Sequence, residues 1–247
     1  MAKKSGAASP ARHLDFLWGT RERPTRGPRP GLSLERVVEA AISIADSDGI
    51  NAVSMQRVAT ELGFATMALY RYVPGKNELI GVMIDTALGE PPIFDDESSG
   101  WRPRMEQWAR QMWAIFYAHP WALGVSGPGR LMGPNELGWL EVAVATLAET
   151  GLTGSEQTDA VLAVSGHVRT WAQYSIYQSA VEAGEEQQWA AGLGELVARH
   201  ENRYPALMAA ISSPPDDDPA SSGQEFGLRC VLDGIGVRIA ERLPAST

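Results

Sequence analysis

Residues 54–76 read SMQRVATELGFATMALYRYVPGK, and the way this stretch folds decides how the rest of the chain is read. Met55, Val58, Ala59 and Leu62 recur at i, i+3, i+4 and i+7, one face of an amphipathic helix. Ser54 stands where its hydroxyl can accept an orphan N–H of the first turn. Gly63 ends that helix, where a left-handed backbone costs a glycine least. A second helix starts near Thr66, with Leu69 and Val73 facing inward and Thr66, Met67, Tyr70 and Arg71 left on the opposite face. Two short helices across a glycine turn are the geometry that enters the major groove of DNA. A face of hydroxyls, one guanidinium and an apolar group suits base edges, thymine methyls and phosphates.

Helical patterns flank this stretch on both sides. The preceding one runs from about Ser33 to Gly49 with Leu34, Val37, Val38, Ala41, Ile42 and Ala45 on one stripe. The following one begins after Pro74-Gly75 and carries Leu79, Ile80, Met83, Ile84, Ala87 and Leu88 in two adjacent columns. This order of elements, the GFATMALYRYV turn and helix, and the PGKNEL start of the next helix resemble the N-terminal domain of the tetracycline-repressor (TetR) family over about residues 31–88. The resemblance implies that Thr66, Met67 and Ala68 meet bases, with Arg71 and Tyr72 beside them, while Tyr70 and Lys76 hold phosphates. It also implies that Gln56 reaches a base edge, and a glutamine amide suits the N6/N7 edge of adenine.

Charge is distributed unevenly. The chain has a net charge of -9, yet residues 1–85 carry eleven Lys+Arg against nine Asp+Glu, so the acidic excess lies beyond them. The first thirty residues hold Lys3, Lys4, Arg12, Arg21, Arg23, Arg26 and Arg29 against Asp15 and Glu22. Residues 1–30 therefore read as a basic arm, largely disordered for want of apolar surface to bury. Arg26-Gly27-Pro28-Arg29-Pro30 either lies in a minor groove or stays a solvated tail. Leu14-Asp15-Phe16-Leu17-Trp18 is too apolar for a tail and is expected to dock on a protein surface or form a short helix. It is also too short for a signal peptide or a membrane span, which places the protein in the cytoplasm. The single cysteine, Cys230, excludes an intramolecular disulfide and fits a reducing compartment.

Residues 89–247 have no alternating strand run and read as helices throughout, so the expected fold is all-α. A helix from Trp101 to Ala118 stops at Pro120, and Gly124 to Pro134 is broken by glycine and proline. The next helix runs from about Asn135 to Gly151. Thr153 and Glu156 form a capping box for a long helix through Val161, Leu162, Val164, Val168, Trp171 and Ala172. Another helix lies within 186–203, a turn of helix covers Pro205 to Ile211, and SSPPDDDPASSG reads as a solvated loop. The last helix carries Leu228, Val231, Leu232, Ile235 and Ile239 on one stripe, which is buried either within its own chain or against a second copy. PNELGWLEVAV, VSGHVRTW and QEFGLRCVLDGI resemble the C-terminal ligand-binding and dimerisation domain of the same family. That resemblance implies a homodimer on a palindromic operator, released by a small-molecule effector, with residues 77–89 as the hinge.

Eight tryptophans are many for a chain of this length. Trp113, Phe116, His167, Trp171 and Tyr174 are the expected lining of a ligand pocket, and Arg130 and Arg169 are the candidate anchors for an anionic group. The tetracycline repressor's own metal–drug ligand is not expected, because no histidine lies between His119 and His167, and a hydrophobic or aromatic effector takes its place. No cofactor and no metal site are expected. His13, His119, His167 and His200 lack metal-ligand spacing. Gly124-Val125-Ser126-Gly127 lacks the spacing of a nucleophile elbow, and Gly234-Ile235-Gly236 lacks the third glycine of a dinucleotide loop. An enzyme is therefore not expected. The alternatives are a helical small-molecule-binding protein without specific DNA binding and, less favoured, a helical enzyme.

Overall fold

The computed structural model describes residues 16–19, 31–94, 100–125, 130–182, 186–200, 202–213 and 223–242. The basic residues of the arm and Asp216, Asp217 and Asp218 lie outside them. The described residues form helices joined by turns and loops, with no strand among them, and they form two compact units divided between Glu149 and Thr150.

The first unit opens on residues 16–19, a single turn in which Phe16 is buried. Helix α1, Leu34–Asp48, is capped by the Ser33 hydroxyl, which accepts the Arg36 N–H. It buries Val37, Val38, Ala41, Ile44 and Ala45, so Ile44 takes the inner place expected of Ile42. A 3-10 turn, Ile50–Ala52, leads into α2, Met55–Leu62, where Ser54 accepts the Arg57 N–H at 3.1 Å. Gly63 closes α2 at φ +73°, in the left-handed region that a β-carbon disfavours. The next helix, α3, is regular only over Thr66–Leu69. It runs on as turns bonded from the Tyr72 and Val73 N–H groups to the Leu69 carbonyl, because Pro74 turns the residue before it away from helical geometry.

Helix α4, Lys76–Leu88, packs on α1 and also on α5, Trp101–Ala118, and α7, Pro134–Thr146. A short α6, Trp121–Val125, follows α5. α7 closes at Thr146 rather than near Gly151, since Leu147 and Ala148 bond to carbonyls three residues back. Trp108 and Trp139 fill the space between α5 and α7 with ring centroids 6.1 Å apart. Both indole N–H groups are paired, Trp108 donating to the Trp139 carbonyl and Trp139 to the Gly89 carbonyl.

In the second unit α8, Gly154–Glu182, pairs with α11, Gly223–Arg242. The capping box forms, the Thr153 N–H donating to Glu156 Oε2 at 2.9 Å and the Glu156 N–H to the Thr153 hydroxyl. Leu228, Leu232, Ile235 and Ile239 are buried within this chain, as are Val161, Val164, Val168 and Ala172 of α8. The stripe on the last helix thus belongs to the intrachain pairing. Helices α9, Glu186–Arg199, and α10, Pro205–Ile211, lie between them in sequence.

Candidate nucleic-acid interface and effector site

The face read from residues 54–76 is built by burial beneath it. Leu69 and Val73 are fully buried, while Met67 is 75% exposed and Tyr70 is 45% exposed. A large apolar side chain so exposed at the start of a helix is held out by its neighbours, because the same short helix has already committed its inward positions to the core of α1 and α2. Gln56 in the first turn of α2, Arg71 and Lys76 are exposed, and Thr66, Ala68 and Tyr72 are half-buried. All eight lie in the first unit, on α2, α3, the turn after α3 and the first residue of α4.

Two polar ties in the first unit were not read from the sequence. Asp46 on α1 accepts from His119 Nδ1 at 2.8 Å and from Trp121 Nε1 at 2.7 Å. His119 is the C-cap of α5 and also reaches back to α1. Asp85 on α4 accepts the N–H groups of Asn135 and Glu136 at 2.9 and 3.1 Å, so that a side chain of α4 caps α7. The Asn135 side-chain amide returns a bond to the Asp85 carbonyl at 2.9 Å. Burial pushes the Asp85 carboxyl above the usual carboxylate range, against the pull of those two backbone N–H groups. An aspartate inside an apolar helical run is the signal that could have found this tie, since such a residue is retained where a partner satisfies it.

The expected effector residues fall in both units. In the first, Phe116 is buried, and Trp113 stacks on Tyr117 with centroids 5.2 Å apart and planes at 22°. Trp113 Nε1 is buried with no hydrogen-bond partner, whereas the indoles of Trp18, Trp108, Trp121 and Trp139 each donate to an oxygen. In the second unit His167 Nε2 lies 3.0 Å from the Gln224 carbonyl, and a β-carbon on Gly227 would overlap the His167 ring. One on Gly223 would overlap Trp171. His167 and Trp171 therefore press on the backbone of α11, and Trp171 also meets Tyr174 at 5.2 Å between centroids. Of the two arginines, Arg130 pairs with Glu136. Among the described residues no cluster of three His, Cys, Asp or Glu could hold a metal ion, and no helix is long and apolar enough to cross a membrane.

Residues 37–83 match the family model described as bacterial regulatory proteins, tetR family, and residues 92–239 match the tetracyclin repressor-like, C-terminal domain. The HTH-type transcriptional repressor DrrR1 of Streptomyces coeruleorubidus is 40% identical over 96% of this chain and 90% of its own length. An HTH-type transcriptional regulator of Saccharopolyspora erythraea is 27% identical over 95% of this chain and 97% of its own. Among solved structures, the Streptomyces coelicolor TetR family protein ActR in complex with (S)-DNPA is similar with a TM-score of 0.66 at 25% identity, covering 86% of this chain and 100% of that one.

Proposed function

This chain belongs to the tetracycline-repressor family and is a ligand-responsive, DNA-binding transcriptional regulator, and we propose that it is a cytoplasmic homodimeric repressor released from a palindromic operator by a small aromatic or hydrophobic effector. It does its work by binding rather than by catalysis. The observation that carries this reading is the exposure of Met67 and Tyr70 over the fully buried Leu69 and Val73. In this reading Thr66, Met67 and Ala68 meet base edges, Gln56 reaches a neighbouring base, and Arg71 and Tyr72 flank them. Tyr70 and Lys76 hold phosphates and set the register. The domains implied are the arm at 1–30, the DNA-binding domain at 31–88 and the effector and dimerisation domain at 89–247.

Dimerisation is supported by what the α8–α11 pair leaves uncovered. Leu162 on α8 and Phe226 and Val237 on α11 are 67%, 60% and 59% exposed, and Gly234 has open space around it. A twofold assembly sets two recognition helices about 34–36 Å apart, the spacing of successive major grooves on one face of DNA. Helix α4 suits a hinge because it packs on α1 as well as on α5 and α7. The effector reading rests on Trp113, whose unpaired buried N–H asks for an acceptor, beside Phe116. An effector releases DNA only through its differential affinity for the two states, about 1–3 kcal/mol per site.

Nuclease protection on the DNA upstream of the protein's own gene and of its neighbour tests the reading. The expected pattern is two symmetric protected patches about 34–36 Å apart, erased by an aromatic compound found by screening. A single asymmetric patch would remove the dimer on a palindrome, and protection that no compound affects would remove the effector.

A further inference from the structure

The last turn of α1 carries Asp46 and Asp48 and no basic residue. Negative charge at the C-terminal end of a helix opposes the helix dipole, so two carboxylates there run against local preference. Each is held by partners from another element. Asp46 Oδ1 meets His119 Nδ1 at 2.8 Å and accepts from Trp121 Nε1 at 2.7 Å, and Asp48 pairs with the Arg57 guanidinium on α2 at 2.6 Å.

Both sides of this arrangement are fixed. His119 caps α5, its N–H donating to the Ile115 carbonyl at 2.8 Å, and its own carbonyl accepts the Ala122 N–H at 2.9 Å. It is therefore the corner between α5 and α6, and Trp121, the first residue of α6, is buried. Trp113 and Phe116, the residues of the effector reading, stand six and three residues before that corner on the same helix. On the other side α1 packs on α2, and Arg57 is held by its side chain to Asp48 and by its N–H to the Ser54 hydroxyl, next to Gln56. Among the described residues α1 has no broad packing against α5 or α6. A polar tie, rather than an extended packed surface, joins the helices at this corner.

We propose that Asp46 is a positioning residue that couples the α5–α6 corner to the recognition face, a second route beside the hinge helix α4. A shift of α5 at Trp113 and Phe116 moves His119 and Trp121, which share one carboxylate oxygen of α1. α1 moves with them and carries α2 through its packing and through Asp48 and Arg57. The inference rests on the DNA-binding reading above. Coupling is reciprocal, so DNA on the recognition face is felt in turn at α5, and no effector is needed to detect it.

Hydrogen exchange of the full-length protein, with and without the duplex from upstream of its own gene, tests this coupling. In the parent, exchange at the amides of residues 112–122 is expected to change by about fivefold or more when the duplex binds, the low end of ordinary coupling. Asp46→Ala, which raises helix propensity, should bind the duplex and keep the duplex-dependent protection of α4, yet lose the change at 112–122. Asp46→Asn keeps the oxygen acceptor and should keep the change. A tie that only stabilises the fold would alter exchange in the free protein and give the parent no duplex-dependent change to lose. A parent that binds the duplex without a change at 112–122, or a change that survives in Asp46→Ala, would overturn the proposal. No duplex binding by the parent at all would remove the DNA-binding reading, and this coupling with it.

Discussion

The Asp85 carboxylate occupies the space that a β-carbon on Gly133 would need. From there it accepts the Asn135 and Glu136 N–H groups and caps α7. Glycine at 133 and aspartate at 85 are thus one choice made twice, 48 residues apart in the sequence.

Gly133→Ala is expected to expel the carboxylate and leave the two N–H groups open, lowering stability by about 1–3 kcal/mol in thermal or urea melts. Asp85→Ala should cost a similar amount, and the double variant little more than either single one, because both remove the same cap. Since burial already opposes the charge at Asp85, the neutral Asp85→Asn should be milder than Asp85→Ala. Additive losses in the double variant would contradict a shared cap.

Ser54→Ala tests the entry to α2. The Ser54 hydroxyl accepts the Arg57 N–H, so its loss should lower stability by about 0.5–2 kcal/mol and weaken DNA binding through the displaced Gln56. Normal stability with normal DNA affinity would mean that the cap contributes nothing here.

The α8–α11 pair carries an acid sensitivity. The Arg242 guanidinium bonded to Glu156, helped by the Thr153 N–H and hydroxyl, holds the Glu156 carboxyl down at about 2, against an ordinary 4.5. A depressed carboxyl stabilises the fold above its unfolded pKa, and that contribution is lost as pH falls from about 4.5 toward 2. Glu156→Gln should therefore melt lower than the parent at pH 7, and the gap should close on acidification through that window. A gap that persists at pH 2 would contradict the assignment.

Trp113→Phe keeps a ring to stack on Tyr117 and removes the unpaired N–H. Stability should be unchanged or slightly raised, because a buried open donor is removed. Release from DNA should need about tenfold more effector, one hydrogen bond's worth. An unchanged release midpoint would take Trp113 out of the effector site.

What was legible in the sequence was what depends on neighbours along the chain. Ser33, Ser54, Gly49 and Gly63 bound α1 and α2 as capping chemistry requires, and Leu69 and Val73 are inward as their spacing demands. Thr153 and Glu156 form their reciprocal box. Partners distant in sequence were not legible. Nothing local to Asp46 announces His119 and Trp121, and the apolar run around Asp85 asks for a partner without saying that it is Asn135 and Glu136. The stripe on the last helix showed that it must be buried, but periodicity is silent on which helix covers it, and α8 of the same chain does. Aromatic spacing likewise could not tell Trp108 and Trp139, bonded to backbone carbonyls in the core, from Trp113, whose N–H is open.

The central claim, that the face from Thr66 to Lys76 reads DNA, is tested most directly by fluorescence anisotropy with the upstream duplex at two salt concentrations. The full-length protein is compared with its Tyr70→Ala/Lys76→Ala variant. Tight binding that weakens with salt, and is lost in the variant while its melting curve stays normal, is the predicted result. Equal, weak binding to every duplex, or tight binding that survives in the variant, would contradict it.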